Sequence, residues 1–253
     1  MQNCPFFYEG AVWNNFGGHR LWQSPEVMPR TYLPCNDPVE YEITEKGGIF
    51  RQPLFQHTNT QQEIEVIMYE NEPKAEIIHR ITNKNAWPVK LAPWALTVLK
   101  NGGLEIVPMP TKDTGLISNG VIGLWPYGKL NDKRVNFGEK FIAVQPDSNN
   151  TNKFKIGISN RENYAAYLLN NEMFVKTFEY EEGAEYPDGG MNFETFTNDQ
   201  FIECESLGKL EELEYNQTAT MVETWHMFKD IETPDLHDDE KIEKVMELIK
   251  KSI

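Results

Sequence analysis

Residues 201–206 read FIECES. In a strand, successive side chains point to opposite sheet faces, so Phe201, Glu203 and Glu205 share one face while Ile202 and Cys204 share the other. Two carboxylates on one face suit general acid–base chemistry, because each raises the proton affinity of its neighbour toward neutrality. The same alternation has a plainer outcome that is commoner in strands: with Ile202 and Cys204 in the core, the glutamates face solvent and need no function. Glu194, in the preceding run NFETFTND, can join them across an Asn-Asp turn. Three carboxylates together also suit a hard cation such as calcium.

A second stretch, NFGGHRLWQSPE at residues 15–26, sets Gly17 and Gly18 before His19, Arg20 and Trp22. Paired glycines disfavour a helix, and a cationic donor beside an aromatic plane suits a polar ligand that also has an apolar face. A sugar is such a ligand. Of the five histidines, His19 has the best context for proton transfer. His79 and His226 fall within strands, where a hydrogen-bonded structural role is the usual one. His57 falls at a loop or strand edge, and His237 in an acidic surface run. None has metal-ligand spacing such as HxH or HExxH, so no metal and no cofactor is expected. Pro93 and Trp94 interrupt an otherwise buried-looking run, LAPWALTVL, which implies a bulge or an edge, with Trp94 as core or as a stacking surface. Trp125 and Tyr127 lie in GLWPYGK, a loop that gives aromatic rings less structural reason to be there. Glycine-rich nucleotide loops, GxSxG and a Cys–His nucleophile motif are all absent, which sets aside nucleotide-dependent and serine-hydrolase chemistry.

The elements that must position these residues are mostly short and alternating: VEYEIT, EIEVIMYE, AEIIHRIT, FIAVQ, KFKIGIS, MFVKTFEY and TATMVETWHM, separated by turn-prone pieces such as NKNAWP, KNGG and PDSNNTNK. That spacing predicts an all-β fold of two packed, mainly antiparallel sheets. One helix is expected at about 237–252, where Ile242, Val245, Met246 and Ile249 recur at three-and-four spacing, with acids before them and lysines after. With no repeat and no linker, residues 1–253 are expected to form one domain.

Composition narrows the partners. Thirty-nine acidic against 24 basic residues give a formal charge of −15, which repels phosphate backbones and anionic lipid, so neither nucleic acid nor a membrane surface is an expected partner. Three cysteines, Cys4, Cys35 and Cys204, have no CxxC spacing and cannot all pair within one chain, which fits a reducing compartment. The N-terminus lacks a basic region followed by an apolar one, so a cytoplasmic location is expected.

The order GGHRLWQSPE, IHRITNKNAWPVKLAPWALTVL, then NFETFTNDQFIECESLG and YNQTATMVETWHM resembles the galactose-mutarotase-like superfamily over roughly residues 10–228. The resemblance implies a β-supersandwich that binds carbohydrate on a concave face. In that family's epimerases a glutamate takes the proton of the anomeric hydroxyl while a histidine protonates the ring oxygen. By resemblance FIECES carries the glutamate, Glu203 or, one pleat along, Glu205. Where the epimerases carry a histidine in an NHxYFNL-type strand, this chain has Pro93 and Trp94. His19 is the substitute acid by residue type, with Arg20 and Arg80 as substrate anchors. The expectation is therefore a protein that binds a small-molecule carbohydrate through Arg20, Trp22, Arg80, Trp94, Trp125 and Glu194. Epimerase-like catalysis by Glu203, Glu205 and His19, or a non-catalytic interaction role, stand as the alternatives.

Overall fold

The computed structural model describes residues 17–33, 35–250 and 252–253. Cys4, and Asn15 and Phe16 at the start of the NFGGHRLW stretch, lie outside them. Seventeen strands are present among the described residues. In chain order they are β1 (Gly18–Ser24), β2 (Glu40–Thr44), β3 (Gly47–Arg51), β4 (Thr60–Met68), β5 (Lys74–Asn83), β6 (Val89–Lys100), β7 (Leu104–Pro108), β8 (Ile122–Leu124), β9 (Val135–Phe137), β10 (Phe141–Val144), β11 (Phe154–Ile158), β12 (Tyr164–Leu169), β13 (Glu172–Phe178), β14 (Phe193–Thr197), β15 (Phe201–Leu207), β16 (Glu211–Leu213) and β17 (Thr218–Lys229). They build two antiparallel sheets. One has seven strands in the order β1-β6-β15-β14-β11-β8, with β16 also on β6; the other has ten in the order β2-β3-β4-β5-β17-β13-β12-β7-β10-β9. The fold is the expected all-β sandwich.

Alternation decides what each strand gives to the space between the sheets. Phe154, Ile156 and Ile158 of β11, Phe193 of β14 and Ile202 and Cys204 of β15 meet Val107, Ile142, Val144, Ala165 and Phe178 from the ten-stranded sheet. Next to them Leu21 and Leu91 pack on Ile81 and Ala219. Burying each of these large aliphatic side chains contributes about 1.5–3 kcal/mol.

The terminal helix runs Asp239–Ile249, shorter than expected at both ends, and the side chain of Asp238 caps it by accepting a hydrogen bond from the Lys241 amide. Its Ile242, Val245, Met246 and Ile249, the four residues picked out by periodicity, pack on Leu104, Ile106, Leu168, Met173 and Val175, so the helix covers the outer face of the ten-stranded sheet. No helix among the described residues is long and apolar enough to cross a membrane.

Pro93 departs from expectation. It lies neither at an edge nor in a bulge but inside β6, opposite Gln23 of β1. In a strand, a residue's N–H and C=O point to the same side, and the Pro93 carbonyl accepts from the Gly208 amide. The position without an N–H therefore faces the gap where β15 leaves β6, after Leu207↔Trp94, and before β16 joins it at Glu211↔Leu91. No ladder bond is lost there.

Candidate functional site

Five neighbouring strands bring one row of residues into line on the outer face of the seven-stranded sheet. Gly157 of β11 lies opposite Glu194 of β14, Glu194 opposite Glu205 of β15, Glu205 opposite Leu96 of β6, and Leu96 opposite Arg20 of β1. The next row runs Lys155, Phe196, Glu203, Val98. On the other side, Leu207, Trp94 and Trp22 form a third. Residues directly opposite in antiparallel strands share a face, so the registry assembles three acids, two cations and two indoles on one surface. Gly157 has a positive task here: a Cβ at that position would sit 2.2 Å from Met191 Sδ and 3.2 Å from the Trp125 ring, so only glycine lets these two residues fold down beside Glu194.

The charges are paired closely. Arg20 Nη2 donates to Glu203 Oε1 at 2.8 Å. Lys155 Nζ lies 2.7 Å from Glu194 Oε2 and 3.0 Å from Glu205 Oε2, and Trp94 Nε1 donates to the same Glu205 oxygen at 2.8 Å. The ammonium is also 4.8 Å from the ring centroids of both Trp94 and Trp125, a sandwich that replaces lost hydration by cation–π attraction. Arg20 stacks on Trp22 at 4.4 Å. The calcium site that three carboxylates could make is thus filled by a lysine.

Burial sets the proton affinities. Glu205 is fully buried, Glu194 is 1 % exposed and Glu203 7 %. Burial, partly offset by Lys155, pushes the Glu194 carboxyl well above the ordinary range, and burial with the nearby Glu205 charge raises Glu203 against the pull of Arg20. Burial opposes the Lys155 ammonium, but Glu205 and Glu194 outweigh it and lift its pKa. Glu194 Oε1 and Glu205 Oε1 accept no hydrogen bond. Around the rim stand Trp22, half-buried with Tyr32 edge-on at 5.6 Å, Trp125, also half-buried, and Tyr127, which is 43 % exposed and whose phenol burial pushes up to about 12.

A separate polar cluster lies between the sheets. His19 Nε2 is 2.7 Å from His79 Nε2, His19 Nδ1 is 2.9 Å from Thr97 Oγ1, and His79 Nδ1 is 3.2 Å from the Met221 carbonyl. A carbonyl only accepts, so His79 carries its proton on Nδ1 and takes one at Nε2. His19 then donates from Nε2 and accepts from the Thr97 hydroxyl, and the chain closes with both rings neutral. Burial agrees: it lowers the His79 pKa and takes His19 down to about 3. Beside them Glu223 is paired with Lys176 Nζ at 3.0 Å and accepts from Trp225 Nε1 at 2.8 Å. Burial works against that carboxylate, yet Lys176 and the hydrogen bond from Trp225 hold it at about 2. Among the described residues, His19, His79 and Glu223 form a group that could hold a metal ion, their ligand atoms lying within 4.8 Å of one another. Without an ion, the imidazole chain is already satisfied and the carboxylate already neutralised.

Of the residues predicted from sequence, Glu194, Glu203, Glu205, Arg20, Trp22, Trp94 and Trp125 come together. Glu203 and Glu205 do share a face opposite Ile202 and Cys204, but a layer of side chains covers them, so the solvated outcome does not hold. Trp94, 3 % exposed, braces Glu205 and offers no open ring. Two residues are elsewhere. His19 is next to Arg20 in sequence, and strand alternation sends it to the opposite face of β1, into the interior. Arg80 lies on the outer face of the ten-stranded sheet, held by Glu63 at 2.8 Å and Glu65 at 2.7 Å, away from the acids. Sequence reasoning missed Lys155: a lysine alternating with Phe154 and Ile156 has the pattern of an ordinary solvent-facing strand residue, and nothing local marks it as buried.

No protein-family model and no curated protein sequence matches the chain. In fold it is similar to solved structures at low sequence identity. A protein of Escherichia coli K12 provisionally named aldose 1-epimerase superposes with a TM-score of 0.51 at 10 % identity, over 90 % of this chain and 80 % of that one. A TPR-domain-containing protein of Parabacteroides distasonis ATCC 8503 gives 0.54 at 11 % identity, over 86 % of this chain and 38 % of that longer one. A galactose mutarotase-like protein of Lactobacillus casei ATCC 334 aligns at 8 % identity over 76 % and 72 %, with a TM-score of 0.45.

Proposed function

We propose that the outer face of the seven-stranded sheet binds a small carbohydrate. One observation carries this reading: the Arg20–Glu203 ion pair, whose arginine side chain is still 22 % exposed, lies among the rings of Trp22, Trp125 and Tyr127. Sugar hydroxyls donate to a carboxylate and accept from a guanidinium, while the apolar face of the ring stacks on an indole. The likeness in fold to the E. coli protein supports the ligand class.

Ring-opening proton transfer on the same face is the second reading, and the unequal burial of the acids favours it. Glu203 is the least buried of the three and serves as base for an anomeric hydroxyl. Glu194, the acid most strongly held in its protonated form, is the acid for the ring oxygen. Lys155 and Tyr127 are poorer donors, because their pKa values lie far above neutrality. Two measurements test these readings together. Thermal unfolding with glucose or galactose should show a ligand-dependent rise in midpoint that Trp125→Ala abolishes; no rise with either sugar counts against binding. Exchange NMR of α–β interconversion should show acceleration by the wild type and none by Glu203→Gln; equal rates for both remove the catalytic reading and leave binding.

A further inference from the structure

Beyond the acidic face, a cavity of about 310 Å³ opens where the end of β1 meets the segment 29–33 and the loops 57–60 and 85–89. It is distinct from the outer face, because Gln23 points to the same side of β1 as Leu21 and opposite to Trp22. Four residues give it a chemical character. Gln23 is only 6 % exposed, lines the cavity, and its Oε1 accepts no hydrogen bond. Arg30 donates through Nη2 to the Pro25 carbonyl, and its Nε is buried with no acceptor. Asn85 is held in place by donating to the Thr58 carbonyl at 2.9 Å and to Asn83 Oδ1 at 2.9 Å. Trp87, in the loop between β5 and β6, is 62 % exposed on the rim.

The two unanswered atoms select among ligand classes. Gln23 Oε1 needs a donor and Arg30 Nε needs an acceptor. A carboxylate or a fully ionised phosphate monoester answers only the arginine, and an ammonium only the glutamine. A hydroxyl both donates and accepts, so a polyhydroxylated ligand answers both. The net charge of −15 works against anions as well. An indole left mostly open on a loop supplies the flat apolar surface on which a pyranose face stacks. The volume is at the lower end of the range for small-molecule sites, about 300–1,000 Å³, which suits a single sugar unit. We propose that this cavity is a second saccharide subsite, taking one neutral sugar ring with Trp87 as its platform and Gln23 and Arg30 as its hydrogen-bonding pair.

The subsite stands independently of the outer-face reading, and one titration separates them. The full chain, ¹⁵N-labelled, is titrated with methyl β-galactoside and methyl β-glucoside, and in parallel with inorganic phosphate. The indole N–H signals of Trp87 and Trp125 and the side-chain amide of Gln23 are followed in wild type, Trp87→Ala and Trp125→Ala. The expected result is a saturable shift of the Trp87 and Gln23 signals with at least one glycoside and none with phosphate. In Trp87→Ala the Gln23 midpoint should rise about tenfold, the equivalent of about 1.4 kcal/mol of stacking, while Trp125→Ala leaves it unchanged. Shifts at Trp125 without shifts at Trp87 and Gln23 overturn the subsite and leave the outer face standing. Response to phosphate alone, or a Gln23 midpoint indifferent to Trp87→Ala, also overturns it. Movement at Trp87 and Gln23 with a silent Trp125 upholds the subsite and counts against the outer face.

Discussion

Glu105 belongs to β7 and faces the space between the sheets, fully buried, with Thr195 and Cys204 as its nearest polar neighbours. Burial pushes its carboxyl from 4.5 up to about 8. The folded state therefore holds a proton that the unfolded chain has released. The stabilisation this gives is complete below pH 4.5 and is lost progressively as pH rises toward 8. Each pH unit in that window costs about 1.4 kcal/mol, so the charge penalty reaches about 3 kcal/mol at pH 7 and about 5 kcal/mol above pH 8. Glu105→Gln keeps the shape and removes the titration. Its stability relative to wild type should rise with that slope and level off near pH 8. Urea unfolding at half-unit steps from pH 5 to 9, followed by circular dichroism, reads the difference directly; other titrating groups are common to both proteins and cancel. In thermal scans at pH 7 the variant should melt roughly 6–12 °C higher. A difference independent of pH would refute the reasoning, since it would mean that Glu105 titrates alike in the folded and unfolded chain.

Lys155→Met should destabilise by about 3–5 kcal/mol, because Glu194 and Glu205 are left buried beside each other without their cation; adding Glu194→Gln and Glu205→Gln should recover most of the loss in denaturant unfolding. For the interior histidines, long-range ¹H–¹⁵N correlation spectra should show His19 as the Nε2–H tautomer, neutral down to pH 5, and His79 as the Nδ1–H tautomer, neutral at pH 7. Both rings as Nδ1–H tautomers, or signals altered by a chelator, would mean that an ion occupies the position between them.

The fold was legible because its information is local: period-two runs gave the strands, and four apolar residues at helical spacing gave the terminal helix. The faces of β15 followed from the same arithmetic. What lay on top of Glu203 and Glu205 did not, because Lys155 reaches Glu205 from 50 positions earlier in the chain, and pairing at that range leaves no local periodicity. His19 shows the converse error, in which nearness along the chain was taken for nearness in space; one residue along a strand is half a turn away from its neighbour. Lys176, Glu223 and Glu105 were unreadable as buried groups for a further reason. Charged residues in strands normally mark the solvent face, and here the ten-stranded sheet turns three of them inward.

The contact between His19 and His79 runs from β1 in one sheet to β5 in the other, and its outer ends are fixed to Thr97 of β6 and to Met221 of β17. Methyl groups packed between two sheets resist separation but slide past one another at little cost. A chain of directional bonds across the same gap resists sliding, because a displacement of an ångström breaks it. The sandwich is therefore pinned against shear at the strand that also carries Arg20 and Trp22. The acidic face on the other side of that strand is held in register by the same chain of bonds.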